Sequence, residues 1–134
     1  MPPPQNEVLE IRTSTDVVQV RQSVRTLATS LGFSLIDQTK VVTAASELAR
    51  NTLEHGGGGT ARLESVTQGI RKGLRLTFED KGPGIRDVSL ALKDGYTTGG
   101  GMGLGLSGSK RLVNEFDIDT KVGEGTRVTV TKWK

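Results

Sequence analysis

The sequence predicts an α+β two-layer sandwich, in which one β-sheet carries its helices on a single face. Two segments with helical periodicity follow each other near the start of the chain, and alternating segments typical of strands come later in pairs. A regular strand-helix alternation, which a doubly wound parallel sheet requires, is absent. The 134 residues are enough for one hydrophobic core, so we interpret 1–134 as a single domain.

The first half of the chain predicts one strand and two helices. Residues 7–13 alternate as a strand does, and a first helix follows that Gly32 ends. A second helix is predicted over 37–54, before a run of glycines that begins at Gly56. Three residues offer N-caps for the first helix: Ser14, Thr15 and Asp16.

The second half predicts two strands, a third helix after a long loop, and two final strands. The third helix begins at Gly105 or Ser107 and extends to Phe116. The four strands are predicted over 60–67, 73–80, 117–122 and 126–133.

The composition excludes several classes of function. The chain has no cysteine and a single histidine, so neither a cysteine metal site nor a thiolate nucleophile is available. The 18 Lys and Arg residues are dispersed among 15 acidic residues, without the basic stripe that nucleic-acid binding needs. The sequence contains neither a secretory signal nor a long apolar run, so we expect a cytoplasmic protein that contacts no membrane.

Glycine-rich segments create three chance matches to known motifs. Gly103, Gly105 and Gly108 fit the dinucleotide pattern, but a loop precedes them where that fingerprint needs a strand. The same segment is not a phosphate loop, since a serine separates the last glycine from Lys110. The glycines after His55 resemble an esterase oxyanion segment, but the chain has no G-x-S-x-G elbow.

A polar stripe runs along the second predicted helix. Glu47 and Asn51 share one helix face, and Thr43 and His55 extend it in both directions. A carboxylate and an amide one turn apart could hold a magnesium ion and a hydroxyl, as phosphoryl transfer requires. The alternative is an ordinary solvated face.

A second polar segment lies at the end of a predicted strand. Asp80 has the same parity as Leu76 and Phe78, so its carboxylate is expected to face the helices, where it needs a partner. An adenine amine would serve, with Gly82 and Gly84 letting the backbone pass close to the ring. The alternative is a tight turn that begins with an aspartate.

The glycine-rich loop over 95–105 leads into the third helix. Glycines allow such a loop to reshape around phosphates, and a helix start offers free N–H groups to an anion. A flexible linker is the alternative.

Thr126 has the same strand parity as Val128 and Val130, so its hydroxyl is also expected to face inward. The alternative is an ordinary surface threonine.

Taken together and in this order, these segments resemble the GHKL (Bergerat) ATP-binding family. The closest likeness is to the small bacterial serine/threonine switch kinases of the RsbT type, and it covers almost the whole chain. That family has a mixed, mostly antiparallel sheet with about three helices on one face. The likeness rests on four segments: 46–51, 79–85, 110–112 and 123–126.

The resemblance implies a role for each matching residue. Glu47 would be the general base, Asn51 the magnesium ligand, and Asp80 the acceptor for adenine, with Thr126 as a second contact. Gly82 and Gly84 would line the base. The lid over the phosphates would comprise Gly99, Gly100, Gly101, Gly103 and Gly105. His55 matches a histidine found in similar anti-sigma kinases, and both a catalytic and a structural role stay open.

The resemblance implies a Mg-ATP-dependent serine/threonine kinase of a bacterial partner-switching system in stress response. Such kinases phosphorylate STAS-domain antagonists and then activate a phosphatase or restrain a sigma factor. Glu47 favours transfer to a hydroxyl, because serine and threonine need proton removal and a histidine substrate does not. Two alternatives remain: an anti-sigma factor kinase that sequesters a sigma factor, and a nucleotide-gated binding module with little catalysis.

Overall fold

The fold is built on a five-stranded antiparallel sheet with helices packed on one face. A computed structural model describes residues 6–85, 97–98, 102–103 and 106–134. The elements in chain order are β1 (Asn6–Ile11), α1 (Ser14–Ser30), α2 (Leu35–Glu54), β2 (Gly59–Gln68), β3 (Arg71–Asp80), β4 (Thr97–Thr98), β5 (Met102–Gly103), α3 (Leu106–Leu112), β6 (Glu115–Lys121) and β7 (Gly125–Trp133).

The main sheet has the strand order β1-β2-β3-β7-β6, and each of its four strand pairs is antiparallel. The predicted α+β sandwich with a mostly antiparallel sheet is therefore confirmed, and the described strands include no parallel pair. A separate two-stranded sheet pairs Thr97 with Gly103 and Thr98 with Met102.

The core lies between this sheet and the two long helices. In α1 the buried positions Val17, Val20, Val24 and Leu27 recur every three or four residues, which places them on one helix face. The inner face of the sheet supplies alternate residues of β3, such as Leu76, which is fully buried. No described helix is long and apolar enough to span a bilayer.

The N-cap of the first helix lies one residue before the three expected caps. Thr13 is the N-cap: its Oγ1 accepts the Asp16 N–H at 3.3 Å, and Asp16 Oδ2 accepts the Thr13 N–H at 3.0 Å. This reciprocal pair places Ser14, Thr15 and Asp16 inside the first turn. The pKa of the Asp16 carboxyl is lowered from its ordinary value. The largest cause is the hydrogen bond that the backbone N–H of Arg12 donates at 2.8 Å, and the backbone N–H of Thr13 also lowers this pKa.

The third helix is shorter than predicted and ends at Leu112. Asn114 turns the chain, because its N–H donates to the Thr131 carbonyl at 3.0 Å and its Oδ1 accepts the Trp133 N–H at 2.7 Å. These bonds start β6 at Glu115, so Phe116 is a strand residue opposite Val130 rather than the last residue of a helix.

Candidate nucleotide-binding site

A cavity lies between the C-terminal half of α2, the start of α3 and the inner face of β3 and β7, and its volume of about 350 Å³ includes open solvent. Its apolar lining comprises Leu48, Phe78, Ile85, Leu106 and Val128. Its polar lining comprises Asn51, Thr52, His55, Asp80 and Thr126. An apolar slot with a few polar groups is typical of a site for a flat, partly polar ligand.

Two side chains form the polar end of the cavity on the sheet. Asp80 and Thr126 are direct partners across the β3–β7 pair, and both face the helices as their strand parity predicts. Asp80 Oδ1 accepts the Gly82 N–H at 2.9 Å, which fixes the carboxylate at the strand end. The Thr126 side chain is buried, and its Oγ1 lies 2.8 Å from Thr120 Oγ1. This end of the cavity can accept hydrogen bonds from a ligand amine.

Two residues from the last turns of α2 form the opposite wall. Asn51 and His55 are one turn apart and both line the cavity, so helical spacing brings them together as expected. His55 is also the C-cap of α2, and its Nε2 lies 3.4 Å from the Gly84 carbonyl oxygen. This long contact connects the helix end to the loop after β3, while the imidazole still borders the cavity.

The glycines after Asp80 contact the protein rather than the cavity, whose lining includes neither Gly82 nor Gly84. A Cβ at Gly82 would lie 2.7 Å from the Gly56 Cα, closer than real Cβ atoms come. Gly84 has φ +75° and packs on the Lys121 carbonyl. Both glycines are thus needed to fold the loop, and their contact with a base stays a prediction.

Glu47 lies in a different depression from Asn51. It lines an open groove of about 850 Å³ between α1 and α2, together with Arg21, Gln22, Arg25, Val42, Thr43 and Ser46. Its Oε1 is 3.1 Å from Arg50 Nη1, in a pair whose two side chains are 38% and 48% exposed. Such an exposed ion pair contributes little stability and exchanges easily. The carboxylate is therefore accessible from the α1 side of the molecule.

Most of the predicted lid lies outside the described residues. This applies to Gly99, Gly100, Gly101 and Gly105, whereas Gly103 belongs to β5 and pairs with Thr97. The covering role of this segment stays a prediction.

Two residues of the site were missed from the sequence. Gly56 is buried against the Asp80 side chain, and a Cβ there would lie 2.5 Å from Asp80 Oδ2. Only its place at the start of a glycine run marked it. Thr120 bonds to Thr126 and to the Ile85 N–H, at 3.0 Å for the latter. Its parity with Ile118 in β6 was the available signal.

Comparison with known proteins identifies the family of the chain. Residues 36–134 match the family model described as histidine kinase-, DNA gyrase B-, and HSP90-like ATPase. The chain is 44% identical to the serine/threonine-protein kinase RsbT of Bacillus subtilis over 125 residues, 93% of this chain and 94% of that protein. It is also 28% identical to an anti-sigma F factor of Clostridium kluyveri, over 84% of this chain and 82% of that protein.

Solved structures support the fold independently. The crystal structure of the RsbU and RsbW domains of a Mycobacterium tuberculosis protein is similar with a TM-score of 0.68 and 21% identity, over 98% of this chain and 33% of that one. The catalytic domain of the histidine kinase ThkA is similar with a TM-score of 0.55 and 16% identity, over 94% and 95%. The chain belongs to the histidine kinase-, DNA gyrase B- and HSP90-like ATPase family, and within it to the serine/threonine-protein kinases.

Proposed function

We propose that this protein transfers the γ-phosphoryl group of Mg-ATP to a serine or threonine of a small STAS-domain antagonist in a bacterial partner-switching system. One observation carries the proposal. Asp80 and Thr126 form the polar end of an apolar cavity, Asn51 lies on its helical wall, and Glu47 stands one turn earlier beside an open groove.

The cavity has the properties that an adenine ring requires. Phe78, Val128 and Leu48 provide apolar surfaces for the ring. Asp80 provides an acceptor for the exocyclic amine, held in place by the Gly82 N–H. The base would then lie on the sheet side of the cavity, and the role of the glycine-rich segment over 95–105 in covering the phosphates is part of the proposal.

Asn51 is the residue that would hold magnesium. Magnesium in phosphoryl-transfer sites commonly takes one or two protein oxygens and completes its shell with phosphate oxygens and water. The Asn51 side chain borders the cavity on the α2 side, away from the adenine end formed by Asp80. When bound, Mg-ATP supplies the phosphoryl group and the metal neutralises its charge.

Glu47 would accept the proton of a protein hydroxyl. It lies one helical turn before Asn51, so a hydroxyl in the groove would approach from α1 while the nucleotide stays in its cavity. Two guanidinium groups of α1, Arg21 and Arg25, line the same groove. An acidic surface beside the phosphoacceptor would complement them, which favours a folded partner over a short peptide.

The downstream role is part of the proposal. Once its antagonist is phosphorylated and released, the kinase would activate a further partner, such as a phosphatase, in the cytoplasm. The similarity to anti-sigma F factors favours one second candidate, in which the released protein retains a sigma factor. A nucleotide-gated binding module would use the same cavity and groove without transfer.

The test is incubation with γ-labelled ATP and magnesium, offering a folded STAS domain and a peptide that carries the same phosphoacceptor. We expect label on serine or threonine of the folded domain and much slower labelling of the peptide, because docking supplies much of the rate. Equal labelling of both would contradict the docking argument. Retention of a sigma factor supports the second candidate, and nucleotide-dependent binding without label supports the module.

A matched pair of variants tests the groove. Arg21→Ala removes a guanidinium from the groove, whereas Arg62→Ala removes an exposed one from the opposite face of the sheet. We expect Arg21→Ala to raise the KM for the folded domain and leave ATP affinity unchanged, and Arg62→Ala to change neither. An unaltered KM in Arg21→Ala would place the partner on another surface.

A further inference from the structure

A hydroxyl behind the cavity wall touches three parts of the site at once. Thr120 lies on the inner face of β6, half-buried, directly opposite Thr126 in β7. Its Oγ1 is 3.0 Å from the Ile85 N–H nitrogen, 3.1 Å from the Gly125 carbonyl oxygen and 2.8 Å from Thr126 Oγ1. Both Ile85 and Thr126 line the cavity, so Thr120 stands directly behind it.

The donors and acceptors around Thr120 determine the direction of each bond. A hydroxyl has one proton and two lone pairs, a backbone N–H can only donate, and a carbonyl can only accept. Ile85 therefore donates to Thr120, and Thr120 donates to Gly125. Its proton is then used, so the 2.8 Å contact is a hydrogen bond only if Thr126 donates to Thr120. All three contacts are satisfied in this arrangement alone.

The direction of these hydrogen bonds determines what Thr126 presents to a ligand in the cavity. With its proton committed to Thr120, Thr126 presents lone pairs to the cavity, beside the Asp80 carboxylate. We infer that Thr120 is a positioning residue that makes Thr126 an acceptor, so that the site selects a purine nucleotide with a 6-amino group over one with a 6-carbonyl group. This inference rests on the proposed ATP site.

The selection follows from what each purine offers. A 6-amino group brings two N–H donors to the two acceptors, Asp80 and Thr126. A 6-carbonyl purine would still offer its N1–H to Asp80, but its carbonyl oxygen would face the lone pairs of Thr126, and a buried acceptor without a donor is unfavourable. Loss of the Thr120 hydroxyl would free the proton of Thr126, which could then turn toward the cavity and donate to a carbonyl.

Calorimetric titration with ATP and with inosine triphosphate tests the inference, because the first purine has a 6-amino group beside an N1 acceptor and the second has a 6-carbonyl group beside an N1–H donor. The variants are Thr120→Val, which removes the hydroxyl and keeps the shape, and Thr120→Ser, which keeps the hydroxyl. Thr129→Val is the control, since Thr129 lies on the other face of β7. In Thr120→Val we expect the dissociation constant of inosine triphosphate, divided by that of ATP, to fall about tenfold. This change corresponds to the effect of one hydrogen bond. Thr120→Ser and Thr129→Val should keep the wild-type ratio.

If Thr120 had a purely structural role, its loss would weaken the binding of both nucleotides by the same factor. An unchanged ratio of the two dissociation constants in Thr120→Val would therefore overturn the inference. Circular dichroism checks folding, and Thr120→Ala serves as the second variant if valine disturbs the hairpin. Wild-type protein that binds neither nucleotide would instead refute the ATP site, and with it the inference.

Discussion

Alanine at Gly56 would place a methyl group against the residue that we assign to adenine. The added Cβ would lie 2.5 Å from Asp80 Oδ2 and closer still to the Asp80 Cγ, where real Cβ atoms do not approach. Rotation of the Asp80 side chain would not relieve the clash, because the Asp80 Cβ would itself lie 2.5 Å from the added atom, and it would break the hydrogen bond from the Gly82 N–H to Asp80 Oδ1. The φ of Gly56 is not positive, so the clash alone accounts for the effect.

Gly56→Ala is expected to lower both the folding stability and the ATP affinity. Overpacking of a closed site costs about 1 to 3 kcal/mol of folding free energy. Displacing Asp80 also removes a charge-assisted hydrogen bond to the adenine amine, worth about 1.5 to 3 kcal/mol. ATP affinity should therefore fall by roughly 10- to 150-fold.

The adjacent glycine provides the control. Gly57 has φ +75°, and a Cβ added there would meet no other part of the protein within 4 Å. Gly57→Ala therefore costs only backbone strain of about 1 to 2 kcal/mol. Urea unfolding should show both variants destabilised to a similar extent, while calorimetry shows weaker ATP binding in Gly56→Ala alone. Wild-type ATP affinity in folded Gly56→Ala would refute the placement of adenine at Asp80.

Three further predictions concern the site and the first helix. Asp80→Asn should lower ATP affinity by roughly 10- to 150-fold in calorimetry, since a neutral amide replaces the charged acceptor; unchanged affinity would place the base elsewhere. Thr13→Ala should cost about 1 kcal/mol in urea unfolding through loss of the α1 cap, and an unchanged midpoint would contradict the capping box. The lowered pKa of Asp16 stabilises the fold above its ordinary pKa, and this contribution is lost as pH falls through the folded value. Asp16→Asn should thus make the melting temperature depend less on pH below about pH 4. A melting temperature that falls with pH as in the wild type would contradict this.

Strand parity and helix spacing were sufficient for much of the site. Parity alone placed Asp80 and Thr126 on the inner face, and the spacing of Asn51 and His55 placed both on one wall. Helical spacing did not predict that Glu47 and Asn51 line different depressions. Four residues advance a helix by slightly more than one turn, and the packing of α1 on α2 then divides the two surfaces.

The remaining features depend on contacts between distant segments. Gly56 matters because the end of α2 meets the end of β3, and a run of four glycines does not show which one lies there. Phe116 fits a helix by periodicity, but the bonds from Asn114 to β7 begin a strand first. Tertiary hydrogen bonds here override the local pattern.

In the proposed reaction, Glu47 takes the proton of the substrate hydroxyl during transfer from ATP whose base is held at Asp80. The most direct measurement is single-turnover transfer from saturating Mg-ATP to a folded STAS domain, in wild type and Glu47→Ala, with bound ATP determined in the same samples. We predict equal ATP occupancy and a transfer rate lowered by about 10² to 10⁴ in the variant. Transfer at the wild-type rate by Glu47→Ala with ATP bound would contradict the assignment of the base.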